Sequence, residues 1–146
     1  MTPGTKEGNA MTPGDDLKER IEAIEACYEY MLAYAAQGAL DDRASRGGSQ
    51  LRELLGKAAR AAAGLGTATA AAVAALEPAA PYRDFRNLLE ADAAKALAAL
   101  ELVLAQPRIS SQLVDNLNAS LHVRTLLTDV YLLDEALRVH QPGNEA

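Results

Sequence analysis

Four stretches of this chain place apolar residues alternately three and four positions apart, and that spacing dictates α-helix. The first is the clearest. Leu17, Ile21, Ile24, Tyr28, Met31 and Ala35 fall on one face, and Lys18, Glu22, Glu25 and Glu29 on the other. A helix over Asp15–Gly38 follows. Asp15 and Asp16 sit where free N–H groups need acceptors, and Gly38 sits near a stop. Cys27, Tyr30 and Tyr34 widen the apolar face sideways. A face that wide implies two neighbouring helices or a partner.

Ser49 heads the second stretch, Gln50–Leu65, with Leu51, Leu54, Leu55, Ala58 and Ala62 inward. Gly64 and Gly66 should break it, since each glycine costs a helix roughly 1 kcal/mol. A short alanine-rich helix resumes at Thr67 and ends before Pro78. The third helix spans Pro81–Gln106 and is stopped by Pro107. Its buried stripe is Phe85, Leu89, Ala93, Leu97, Leu100 and Leu104. The fourth runs unbroken from Ser110 or Ser111 to Val139, with Leu113, Leu117, Leu121, Leu127 and Tyr131 inward.

Aromatics make up 4% of the residues and Trp is absent, so the core must be built from Leu and Ala, which suits close-packed helices. The chain is therefore expected to be all-α. The expected architecture is an up-down-up-down four-helix bundle whose second helix is broken near Gly64–Gly66. Residues 15–140 form its single domain. Residues 1–14, with Met-Thr-Pro-Gly twice, read as an N-terminal tail, and 141–146 as a C-terminal one.

Charge and composition narrow the partners. A net charge of −6 disfavours nucleic acid and anionic membranes. The stretch Ala58–Leu76 carries Arg60 and too few large apolar side chains for a membrane span. A lone cysteine, Cys27, and the lack of a signal-peptide layout point to the cytoplasm. No cofactor is expected. A di-iron bundle needs Glu three residues before each ligand His, but Ala119 and Leu137 precede His122 and His140. The segment Leu121-His122-Val123-Arg124-Thr125-Leu126-Leu127 resembles a kinase histidine box. It departs from that box in lacking an acidic residue after His122 and a proline after Thr125, and Arg124 comes one position early. Histidine phosphotransfer is kept as a minor reading.

Two constellations stand out. Asn116, Ser120, Arg124 and Thr128 recur every four residues along the fourth helix, within the face expected to be buried. A guanidinium never gives up its charge, so Arg124 there requires an anion. The candidates are Asp92 on the third helix, a Glu of the first, a group across a subunit interface, or an acidic ligand. Cys27, Tyr30, Met31 and Tyr34 form the second constellation, an apolar and tyrosine-bearing face suited to an interface. The leading expectation is a non-catalytic helical interaction protein (an adaptor, small chaperone or accessory subunit). It would self-associate as a homodimer or bind another protein through the first helix. The second is a small-molecule-binding bundle or modest enzyme holding an acidic ligand at Arg124, Asn116, Ser120, Thr128 and Asp92.

Overall fold

A computed structural model describes residues 11–140. Among these the chain is all-helical: α1 Pro13–Ala35, α2 Gly48–Ala63, α3 Leu65–Val73, α4 Ala79–Leu104, α5 Ser111–Ala119 and α6 His122–Arg138. No helix of the described residues is long and apolar enough to cross a membrane. Residues 1–10 and 141–146, most of the two expected tails, lie outside the described residues.

The N-terminal boundary falls earlier than Asp15. Thr12 accepts a hydrogen bond from the Asp15 amide at 3.0 Å, and Pro13 opens α1, where its missing N–H costs nothing. α1 thus starts two residues before the expected Asp15, with Thr12 as its cap. Gly47, with φ of 78°, precedes α2, so Ser49 lies inside the first turn and is not its cap. The expected interruption is present and occupies one residue, Gly64, which ends α2 and begins α3. A Cβ at Gly64 would meet the Arg20 guanidinium at 2.5–2.8 Å. That guanidinium donates to the carbonyls of Arg60 and Ala61, each at 3.3 Å, near the end of α2. Gly64 thus leaves room for a cation where the helix dipole favours one.

The expected continuous fourth helix is two helices. α5 ends at Ala119, and Leu121 adopts a left-handed conformation, φ 67° and ψ 2°, before α6 begins. Ser120 closes α5 by donating from Oγ to the Leu117 carbonyl at 2.6 Å. The break shifts the phase of the buried face. Val114 and Leu117 are buried on α5, then Val123, Leu126, Leu127, Val130 and Leu133 on α6. Leu121 and Tyr131, both expected inside, are exposed.

The backbones of α1 and α4 do not approach each other closely. Each packs on α2–α3 on one side and on α5–α6 on the other, so one core runs through the molecule. α1 contributes Leu17, Ile24, Cys27, Met31 and Tyr34 to it, α2 Leu51 and Leu55, and α4 Leu89, Ala96 and Leu100. The expected stripe on α4 holds, with Phe85, Leu97 and Leu104 at its half-buried edge.

A polar latch closes one end of the core. Tyr34 is fully buried and donates to the Ile109 carbonyl at 2.7 Å. Ser111 Oγ donates to the Tyr34 carbonyl at 2.6 Å and accepts from the Ala39 amide at 2.8 Å. Asp42, 3% exposed, accepts from the Ile109 amide at 2.7 Å and from Arg52 Nε at 2.6 Å. Arg52 also donates to the carbonyls of Gln106 and Leu104 at 2.8 and 3.3 Å. Burial pushes the Asp42 carboxyl up. Its bonds from Arg52 and the Ile109 amide outweigh that and hold it below 3.8. The loops 36–47 and 105–110 are thereby tied together and to α2.

Candidate functional site

The break at Ser120–Leu121 divides the expected polar stripe. Residues spaced by four share a face only on an unbroken helix. Asn116 and Ser120 line a groove between α4 and α5, whereas Arg124 and Thr128 line another between α1 and α6. All four side chains are exposed, so Arg124 is not the buried cation its position suggested. Thr128 donates its hydroxyl to the Arg124 carbonyl at 2.8 Å.

The Arg124 groove encloses about 360 Å³ and also holds Tyr28, Leu32, Tyr131, Glu25 and Glu29. Tyr131 donates its hydroxyl to Glu25. Partial burial, that bond and the charges of Glu25 and Glu29 push the Tyr131 phenol up to about 12. Two carboxylates beside one guanidinium make this groove unfavourable for the acidic ligand expected there. No ion pair joins Arg124 to an acidic side chain among the described residues.

Asp92 lies apart from Arg124 and meets Asp129 of α6 instead. Burial first, then the hydrogen bond and negative charge of Asp92, push the Asp129 carboxyl up to about 7. Its Oδ2 is buried and has no hydrogen-bond partner among the described residues. Burial and the neighbouring Asp92 carboxyl thus both favour the protonated form of Asp129. Beside them a cleft of about 220 Å³ is lined by Asp92, Lys95, Ser120, His122 and Thr125. Sequence reasoning missed this pair, because only the α5–α6 break turns Asp129 toward α4.

The tyrosine-bearing face of α1 is spent inside the chain. Cys27, Met31 and Tyr34 are fully buried, and Tyr30 is half-buried with its hydroxyl donating to the Gly47 carbonyl at 2.8 Å. Those four side chains contact the chain's own core and loops, so they cannot form the interface expected of them. The width of the α1 face is explained by its contacts with α2, α3, α5 and α6 together. Burial also pushes the Cys27 thiol up to about 12, which leaves it inert at neutral pH.

A largely apolar surface lies elsewhere. α4 and α5 are in contact. The groove left between them encloses about 530 Å³. Val103, Leu113, Leu117 and Ala99 line it, Leu102 forms one lip, and Lys95 and His122 stand at one end. Leu102 is 64% exposed. The adjoining outer face of α4 continues through Ala91, Ala94, Ala98 and Ala105, all exposed. Such a surface has the chemistry to receive an amphipathic helix, which lays apolar side chains into a groove of this kind. The signal was legible as the run of alanines and Leu102 opposite the buried stripe of α4. No family model, no curated protein and no solved structure matches this chain.

Proposed function

We propose that this chain is a non-catalytic, cytoplasmic interaction protein, a four-helix up-down-up-down bundle that works by self-association. The binding surface is the α4/α5 groove with the outer face of α4, not the flank of α1. One observation carries the reading. The groove of about 530 Å³ presents a mostly apolar surface, with Lys95, Asn116, Ser120 and His122 among its lining, and continues onto a helix face that exposes Leu102 at 64%. Exposed apolar area of this continuity is a feature of association surfaces. The inert thiol of Cys27 accords with a reducing compartment.

Sedimentation equilibrium tests it. The wild-type chain is expected to dimerise with concentration. Leu102→Glu is expected to shift it to monomer with an unchanged far-ultraviolet circular dichroism spectrum. A wild-type chain that stays monomeric at high concentration contradicts the reading.

A further inference from the structure

We infer that the groove between α4 and α5 binds a straight-chain aliphatic carboxylate of about eight to ten carbons, its tail between the two helices and its head at Lys95 and His122. The inference shares this groove with the self-association reading but does not rest on it. Along its length the groove is walled by Ala99, Leu102, Val103, Leu113 and Leu117, which offer an alkyl chain only carbon. Lys95 and Leu102 lie seven residues apart on α4, about 10 Å along its axis, which suits a tail of about eight carbons. The volume of about 530 Å³ is ordinary for a small-molecule site.

Charge fixes which end takes the head. Lys95, Ser120 and His122 line both the groove and the adjoining cleft of about 220 Å³, so they stand together where the two meet. Among the described residues no carboxylate pairs with Lys95, and its ammonium is open to an incoming anion. Gln112 donates to the side-chain oxygen of Asn116 at 3.4 Å, which leaves the Asn116 amide nitrogen as a donor on the groove wall. The break at Leu121 completes this end. α6 starts at His122 without a side-chain cap, so its positive dipole end adds to the charge of Lys95. Asp92 lines only the neighbouring cleft, where it meets Asp129, and no carboxylate among the described residues lines the groove itself. An apolar slot that ends at a cation and a hydrogen-bond donor is complementary to a single-chain amphiphilic anion.

Titration of the isotope-labelled chain with acetate, hexanoate, octanoate, decanoate and octanol, each below its micelle concentration and followed by amide chemical shifts, tests this. Shifts are expected along α4 from Lys95 to Val103 and from Leu113 to His122. Affinity is expected to rise about twofold to fourfold per added methylene from hexanoate to decanoate, the lower value applying because the Leu102 lip is exposed. Acetate, which lacks the tail, is expected to shift none of these amides at the concentration where octanoate saturates. Lys95 is exposed, so Lys95→Met is expected to keep the wild-type helical spectrum. The variant is expected to weaken octanoate about threefold to fivefold and to leave octanol unchanged, since only the head contact is lost. Shifts confined to other helices, an affinity that ignores chain length, or a Lys95→Met chain that binds octanoate as tightly as the wild type overturns the inference. A wild type that stays monomeric yet gives the expected series overturns self-association and leaves the carboxylate site standing.

Discussion

Asp42 and Arg52 do most to hold the loop end of the molecule together, and neither stands out in the sequence. Ten residues separate them, across a loop rich in Gly and Ser whose course cannot be read from periodicity. Arg52→Met would leave a buried carboxylate with only one donor. A loss of about 2–4 kcal/mol in urea-unfolding stability at pH 7 is expected, reduced from the fully buried case because Arg52 is partly exposed. Tyr34→Phe removes the donor to the Ile109 carbonyl and should cost about 1–2 kcal/mol in the same measurement. Tyr34 was legible as a member of the apolar face, and its hydroxyl was not, because its partner is 75 residues away. Arg124 shows the opposite failure. Its spacing was read correctly, but the helix it was placed on does not continue.

Helix type was legible because Leu and Ala recur at 3.6-residue spacing over long stretches. The interruption at Gly64 was legible because glycine marks it. The second interruption was not, since Leu121 carries no sequence mark of a left-handed conformation. That conformation costs a Cβ-bearing residue about 1 kcal/mol or more, and Leu121 is half exposed, so little packing is at stake. Leu121→Gly is therefore expected to stabilise the fold by about 0.5–1 kcal/mol by urea unfolding, after allowing for the greater freedom of glycine in the unfolded chain. A loss of stability would mean that the Leu121 side chain matters more than its backbone strain. The same break shifts the phase of the buried face, which is why Asp129 meets Asp92 and Arg124 meets neither.

Among the buried or half-buried carboxyls of the described residues, Asp129 and Asp42 act on the pH dependence with opposite signs. Asp129 is raised from 3.8 to about 7 on folding. The folded chain therefore holds a proton that the unfolded chain has released, and the associated stability is full below pH 3.8 and lost as pH rises through 7. Asp42 is lowered from 3.8, so its contribution is present above that value and fades as pH falls through its folded value. Urea midpoints are expected to peak in mildly acidic solution and fall from pH 5.5 to pH 8. Asp129→Asn should flatten that fall. An unchanged slope in the variant would show that the Asp92–Asp129 contact does not govern it.

The surface of the molecule carries the functional account, and α4 is where it concentrates. Its inner side is consumed by the core, its outer side exposes Ala91, Ala94, Ala98 and Leu102, and a largely apolar groove runs beside it. The most direct measurement is sedimentation equilibrium of the wild-type chain beside Leu102→Glu. The wild type is expected to associate as its concentration rises, and the variant is expected to stay monomeric with an unchanged helical spectrum. A wild type that stays monomeric at high concentration, or a variant that associates as strongly as the wild type, would contradict the account.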